Sequence, residues 1–295
     1  MHSVVTGHLL AMLTAFCWAE NSLIWGYLGR KVGSNQTAHL RMWIAVPALL
    51  LCSFLTEGPI HADARTWLVL LTSGILGFFI TDVLVFHSYV LLGTRQTVAI
   101  QTLSPVVSTL LSLLLFGEWL TGIQLVGLCT TILGVALLIV NQTKTKGTDQ
   151  KKGVILSLVA AVVQSVSLVL TKFALSSSGP MTTNTIRAIG GLASLFLYEA
   201  FRGKARSDFS DYRKADRKYL WFLLLGAILG PVIGMSSEMK AFTLAPLGTV
   251  TAIAQSSPII LLLQEGVFGR RNIAPKEIVF TLLSVFGITL LFLAV

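Results

Sequence analysis

The chain has few charged side chains and few cysteines for its length. Charged residues make up 12% of its 295 positions and hydrophobic residues 54%, which gives a mean hydropathy of +0.78. So small a polar fraction cannot cover the surface of a water-soluble protein of this size. The three cysteines, Cys17, Cys52 and Cys129, lie far apart inside apolar runs. This spacing argues against a disulfide or metal framework and favours buried apolar positions.

Motifs that carry catalysis are also missing. The sequence contains no HExxH helix, no CxxC pair and no glycine-rich phosphate loop, and its five histidines are scattered. We therefore expect a protein that is not an enzyme, with no catalytic residues, no metal and no cofactor.

Long apolar runs dominate what is present. Ten runs approach the roughly 20 residues needed to cross a bilayer. They lie at about 9–28, 37–56, 67–92, 97–116, 123–140, 153–176, 182–201, 219–244, 248–268 and 278–295. The sequence therefore predicts an all-α membrane protein with ten transmembrane helices in a lipid bilayer.

The ten runs form two copies of a five-helix unit. Residues 99–105 (AIQTLSP) are echoed by 252–258 (AIAQSSP), and the same offset of 153 residues relates Gly134 to Gly287. Because five spans is an odd number, the copies enter the bilayer in opposite senses, which predicts inverted repeats with a substrate site between them. We place the first repeat at 1–140, a linker at 141–152 and the second repeat at 153–295.

Membrane topology accounts for the formal net charge of +9. Most Lys and Arg residues lie in loops that follow odd-numbered spans, and Arg65 alone lies in a loop that follows an even-numbered span. The positive-inside rule then places the odd-numbered loops in the cytoplasm and both termini outside. We expect a multi-pass protein of the bacterial inner membrane and no nucleic-acid partner. The polar loop at 203–218 suggests a short surface helix.

Carboxylates inside predicted spans are the leading site candidates, because an ionisable group there costs several kcal/mol unless it is paired, protonated or hydrated. Glu20 lies about eleven residues into span one, Asp82 about fifteen residues into span three, and Glu238 in span eight. Asp82 and Tyr89 share a helix face, whereas His87 is rotated by about 140°. A neutral Glu20 bonded to a neighbouring helix is the structural alternative.

Arg41 and Arg187 match at an offset of 146 residues, near the starts of spans two and seven. Because the halves are inverted, we expect them near opposite membrane faces, where they either snorkel to the interface or serve in gating or helix pairing. Pro105 and Pro258 follow polar residues inside apolar runs. They predict weakened helices that either line a pathway or form packing kinks.

Amide side chains and one further proline complete the candidate site. Asn21, Gln101 and Gln255 are expected to supply hydrogen bonds, and Pro231 beside Gly230 predicts a kink or unwinding in span eight. The predicted substrate-binding residues are Glu20, Asn21, Asp82, Tyr89, Gln101, Glu238 and Gln255.

Several motifs resemble a known family. Residues 18–21 (WAEN), Arg41, and the stretch 115–120 (LFGEWL) leading to 124–127 (QLVG) and then Gly134 resemble the drug/metabolite transporter superfamily, specifically its ten-helix EamA-type members. The resemblance covers the whole chain. It implies transport, often outward, of amino acids, other small metabolites or drugs through a central cavity. The chain departs from the pattern at Glu20, where members more often have a small residue, and at 268–271 (FGRR), where the acidic turn of the first copy is lost.

These features predict a secondary transporter that exports small polar metabolites such as amino acids by alternating access. Acids and bases in one cavity favour a zwitterion. The alternatives are a proton-coupled exporter of organic cations or drugs, and a lipid-moving or structural membrane protein. The expected partners are a small-molecule substrate, the bilayer and either protons or an exchanged solute, for a monomer or a homodimer.

Overall fold

The structure of the chain is a computed structural model. It describes residues 2–116, 121–143, 148–175, 178–214, 216–245, 250, 253–267 and 274–293, and within these ranges the regular secondary structure is entirely helical. The predicted motifs at 117–120 and 268–271 and the centre of the predicted linker, 144–147, lie outside the described residues.

The first half contains α1 (His2–Lys31), α2 (Ser34–Glu57), α3 (Ala64–Gly74), α4 (Asp82–Leu91), α5 (Thr94–Gln101), α6 (Leu103–Phe116) and α7 (Gly122–Thr143). The second half contains α8 (Thr148–Leu175), α9 (Pro180–Phe201), α10 (Ala205–Lys214), α11 (Arg217–Ala227), α12 (Met235–Leu244), α13 (Ser257–Val267) and α14 (Pro275–Leu293). A π-helical segment joins α3 to α4 (Ile75–Thr81) and another joins α11 to α12 (Ile228–Gly234).

Six helical stretches in the described part of the chain are long and apolar enough to cross a membrane. They are Val4–Lys31, Ser34–Glu57, Ala64–Leu91, Gly122–Val140, Asp149–Ala174 and Arg217–Leu244. Large apolar side chains such as Leu55 and Leu68 are exposed on the outer surface, where a membrane protein meets lipid. The chain is therefore a multi-pass integral membrane protein. The four other predicted spans, which coincide with α5–α6, α9, α13 and α14, stay predictions.

Matching glycines of the two repeats pack reciprocally where α7 crosses α14. A Cβ added to Gly134 would lie 2.6 Å from the backbone nitrogen of Ser284, and one added to Gly287 would overlap the backbone of Thr131. Thr131 and Ser284 are separated by the same 153 residues as the two glycines. Each repeat therefore presents the same surface to the other, as in a two-fold interface, and the small residues let the backbones approach closely.

A second pair of repeat-matched glycines, Gly7 and Gly153, makes close contacts of the same kind near the N-terminal ends of the two halves. A Cβ on Gly7 would lie 2.7 Å from the Cβ of Ala245, and one on Gly153 would lie 2.9 Å from the Cβ of Leu92. Gly7 matches Gly153 and Leu92 matches Ala245 in the repeat. The two contacts are therefore equivalent, and a pseudo-two-fold relation extends across both halves.

The repeat-matched prolines lie at helix beginnings. Pro105 is in the first turn of α6, directly after an interruption at Thr102, and Pro258 is in the first turn of α13, after a turn at 255–256. A proline in the first turn costs no hydrogen bond, because the N–H groups there have no intrahelical acceptor. The predicted weakening of these helices is confirmed, and it lies just before each proline.

The distortion predicted at Pro231 takes the form of the π-helical segment Ile228–Gly234. The matching segment Ile75–Thr81 is π-helical as well but contains no proline, so no residue pattern predicted it. π-Helical turns are uncommon and often lie at functional sites.

The predicted surface helix is α10, which packs on α2. His39 is buried, and its Nδ1 donates to Asp208 Oδ2 at 3.1 Å while its Nε2 accepts from Trp43 Nε1 at 3.0 Å. The rings of Phe209 and Trp43 pack edge to face. These contacts hold the start of α10 against α2.

The three cysteines differ in exposure. Cys17 is buried as expected, Cys52 is partly buried and Cys129 is exposed. The prediction of a buried position is wrong for Cys129, because this side chain projects from the outer surface of α7, which in a membrane protein faces lipid.

The α7–α14 crossing yields a stability prediction. Gly134→Ala should destabilise the fold by about 1–3 kcal/mol, since its new methyl group meets backbone rather than a movable side chain. Gly122→Ala on the same helix is the matched control, because a Cβ there meets nothing within 4 Å. The measurement is the thermal unfolding midpoint in detergent. Equal midpoints for the two variants would contradict the proposed packing.

The docking of α10 yields a proteolysis prediction. His39→Ala should accelerate tryptic cleavage at Arg206 by roughly 5- to 30-fold, because a lost buried hydrogen bond raises the population of the undocked helix. Ser207→Ala, on α10 but outside the His39 contact, is the control. Cleavage at the wild-type rate in His39→Ala would show that these contacts do not hold α10.

Candidate functional site

A cavity of about 180 Å³ lies between the two halves. Its walls come from matching positions of the repeats. Trp18 matches Gln164, Ser104 matches Ser257, and all four line the cavity. The cavity therefore lies between matching surfaces of the two repeats, which is where inverted-repeat transporters place their substrates.

The charges in the cavity do not follow the symmetry. Asp82 lines it from the first half, but the matching residue of the second half is Met235. Glu238 lines it from the second half, and the matching residue of the first half is Val85. Each carboxylate thus has an apolar counterpart, so the two sides of the cavity are chemically different.

Arg41 is buried and ion-paired. Its side chain is 3% exposed, and Nη2 donates to the Asp82 carboxylate. The guanidinium lies over the rings of Phe86 and Trp25, with its central carbon 5.0 and 5.5 Å from their centroids. Asp82 is the first residue after the π-helical segment Ile75–Thr81, so that segment sets its position. The pair joins α2 to α4 at the cavity wall.

Arg187 is also buried, but its hydrogen-bond partners are neutral. Nε donates to Ser73 Oγ at 3.0 Å and Nη2 to Ser167 Oγ at 3.3 Å, while the guanidinium lies 5.3 Å from the ring centre of Phe78. Two hydroxyls and one aromatic face therefore hold the guanidinium, and Nη1 has no acceptor among the described residues.

The start of α9 is fixed by a carboxylate from α2, which helps to place Arg187. Glu57 accepts from the backbone nitrogens of Met181 and Thr182, each at 2.9 Å. A negative group at a helix N-terminus satisfies free N–H groups and favours the helix dipole. Arg187 lies on the second turn of this anchored helix and points to the cavity.

The two arginines do not snorkel to an interface, which was one of the predicted alternatives. Arg41 and Arg187 are both buried and line the same cavity, and their placement near opposite membrane faces stays a prediction. Each has an internal carboxylate or hydroxyl partner and an aromatic face, which offset the loss of hydration. Their roles in gating or helix pairing stay predictions.

Most of the predicted substrate-binding residues do meet at one place. The cavity is lined by Asn21, Asp82, Tyr89, Gln101, Glu238 and Gln255. Pro105 and Pro258 do not line it, although the serines before them do.

Glu20 and His87 lie elsewhere. The Glu20 carboxylate accepts a hydrogen bond from Gln264 Nε2 on α13, as in the structural alternative, and it is not part of the cavity wall. His87 lines a separate polar cavity of about 290 Å³ between the α1–α2 connection and the end of α9, together with Glu199 and Arg202.

Several buried polar atoms at the cavity wall have no hydrogen-bond partner within the described chain. Trp25 Nε1, Arg41 Nε and Arg187 Nη1 are donors, Thr81 Oγ1 can donate or accept, and Asn21 Oδ1 is an acceptor. Buried polar groups are usually satisfied, so the arrangement favours a ligand or water that supplies the missing partners. Because donors prevail, that ligand should be rich in acceptors.

Trp25, Thr81 and Phe78 also line the cavity but were not predicted, because these side chains carry neither an ionisable group nor an amide. One signal was present for Trp25. It lies four residues after Asn21 and seven after Trp18, which places all three on one face of α1.

Comparison with known proteins agrees with this architecture. The model of the EamA-like transporter family matches residues 5–140 and 151–293. Among 28 solved chains that match, one whose description names no function is 17% identical, with a TM-score of 0.66 over 98% of this chain and 96% of its own. This likeness supports the fold alone. No curated protein matches the chain. Since the family model matches both halves over most of their length, the chain belongs to the EamA-like transporter family.

Proposed function

We propose that the protein is a secondary transporter that exports small polar metabolites such as amino acids through the cavity between its repeats. The observation that carries the proposal is the cavity itself. It holds two buried arginines and two carboxylates, with unpartnered donors on its wall, in a chain of a transporter family. Intramembrane charges of this kind usually mark a substrate or ion pathway.

The proposal includes ten transmembrane helices as two inverted repeats at 1–140 and 153–295, linked by 141–152. The reciprocal glycine contacts support the two-fold relation that inverted repeats require. The charge bias of the loops supports cytoplasmic odd-numbered loops and outward termini in the bacterial inner membrane. The chain acts as a monomer or a homodimer.

Alternating access requires helices that bend or rotate around the cavity. The candidates are the interruption at Thr102, the turn at 255–256 and the two π-helical segments, because each breaks the regular helical hydrogen bonding beside the cavity. In the proposed cycle, a substrate loses its water among the cavity polar groups, and the two repeats then rock so that the cavity opens to the other side.

The runner-up is a proton-coupled exporter of organic cations. It would need a carboxylate free to bind the cation, but Asp82 is already paired with Arg41, which leaves Glu238. The excess of unpartnered donors also favours a ligand with acceptor groups. Both observations favour the metabolite proposal.

Reconstituted liposomes test the function directly. We expect saturable uptake of at least one labelled amino acid from a panel, and labelled organic cations should move more slowly. A pH gradient on the same vesicles shows whether protons are exchanged. Saturable movement of cations without any amino acid would support the runner-up instead.

Variants of the Arg41–Asp82 pair can distinguish an effect on stability from an effect on transport. Asp82→Asn should cost about 3–5 kcal/mol, because it leaves a buried guanidinium without its counter-charge. The double variant Arg41→Met with Asp82→Leu should regain most of this stability but not transport. Asp63→Asn, at the exposed N-cap of α3, is the matched control and should behave as wild type. Full transport by the stable double variant would contradict a role for the pair in the pathway.

A further inference from the structure

We infer that Arg187 is the carboxylate-binding group of the cavity and that Glu238 faces the ammonium group of the same zwitterionic substrate. The inference rests on the proposed function and adds to it how the substrate is oriented. It gives the two arginines different roles although they occupy matching positions of the repeat.

Arg187 is held in a fixed position with one edge uncommitted. Ser73 accepts from Nε and Ser167 accepts from Nη2, so two of its nitrogens are fixed by neighbouring helices. Nη1 is buried and has no hydrogen-bond partner in the described chain. Because the guanidinium fork is planar, fixing two nitrogens also fixes the direction of the third.

The charge of Arg187 is also incompletely compensated. In the described residues no carboxylate forms a salt bridge with it, whereas Arg41 is paired with Asp82. A guanidinium that is 1% exposed in a membrane protein is costly without a counter-charge. A substrate carboxylate on Nη1 would supply both the missing charge and the missing acceptor, and charge-assisted bonds of this kind are the strong ones.

Space beside the guanidinium is kept open by a glycine. A Cβ added to Gly77 would lie 3.2 Å from Arg187 Nη2 and 2.7 Å from Ser167 Oγ. Any larger residue there would push against the group that binds the carboxylate. The Gln164 side chain, 3.6 Å from the same Cβ position, adds a polar group at this end of the cavity.

Glu238 is the negatively charged group of the proposed binding site. It lines the same cavity, is half-buried and forms no salt bridge with the described residues, although it interacts electrostatically with Arg187. Both charges therefore lie on the wall of one cavity without a salt bridge among the described residues, and each attracts the opposite charge of a ligand. A zwitterion placed there satisfies both, whereas a simple amine satisfies Glu238 alone.

The test measures binding to the purified wild-type protein, as thermal stabilisation in detergent. The probes are L-leucine, its decarboxylated analogue isopentylamine and its deaminated analogue 4-methylpentanoate, with L-phenylalanine, phenethylamine and 3-phenylpropionate as a second set. We expect each amino acid to bind more tightly than its amine.

Arg187→Gln should weaken amino-acid binding by roughly 10- to 100-fold, and Arg187→Lys by less. Glu238→Gln should remove the advantage of the amino acid over its deaminated analogue.

Lys240→Gln is the matched control, because it removes a positive charge from an exposed position two residues beyond Glu238. It should bind the probes as wild type does. If Arg187→Gln does not accumulate, Gly77→Ala provides a second variant that keeps the charge but crowds the guanidinium, and it should weaken the same probes.

Three results would overturn the inference: amines that bind as tightly as their amino acids, unchanged amino-acid binding in Arg187→Gln or Gly77→Ala, or no stabilisation of wild type by any carboxylate probe. Liposome transport separates this failure from failure of the proposed function. Transport that persists in Arg187→Gln would refute the inference alone. Arg187-dependent binding without transport would refute the function alone.

Discussion

The cost of burying a guanidinium group away from water governs the structure around the central cavity. Arg41 offsets this cost with the Asp82 carboxylate and two aromatic faces, whereas Arg187 has two hydroxyls and one aromatic face. Each guanidinium keeps one buried nitrogen without an acceptor, Arg41 Nε and Arg187 Nη1, but of the two only Arg41 has a carboxylate partner within the described chain. A difference in compensation, rather than a difference in position, therefore distinguishes the two sides of the cavity.

Positions that match between the repeats build the framework of the protein, and positions that differ between them give the cavity its chemical character. Glycines at matching positions, such as Gly134 and Gly287, keep equivalent backbones close together in both halves. The cavity walls also come from matching positions, but the carboxylates at Asp82 and Glu238 have no matching partner. A symmetric frame can rock between two related states, while an asymmetric lining lets it recognise a ligand with two different ends.

The sequence predicted the parts of this architecture that depend on period and offset. The helical period placed Asp82 and Tyr89 on one face, and both line the cavity. Prediction from the sequence was incomplete where contacts with other helices determine the position of a side chain. Position in a span left snorkelling open for Arg41, yet the Asp82 carboxylate holds its side chain inside the protein. The Glu20 carboxylate accepts from Gln264 and is not part of the cavity wall, and its role in substrate binding stays a prediction. The π-helical segment Ile75–Thr81 lacks a proline and so gave no local signal.

If a substrate occupies the cavity between the repeats and reaches it alternately from both sides of the membrane, a residue on the cavity wall must be accessible from each side in turn. Ser257→Cys, in a background with Cys17, Cys52 and Cys129 changed to alanine, places a thiol on the buried cavity wall. Membrane-impermeant maleimide should label it in both right-side-out and inside-out vesicles, and a transported amino acid should slow the labelling from either side. Labelling from one side alone, with no protection by any transported solute, would contradict alternating access to this cavity.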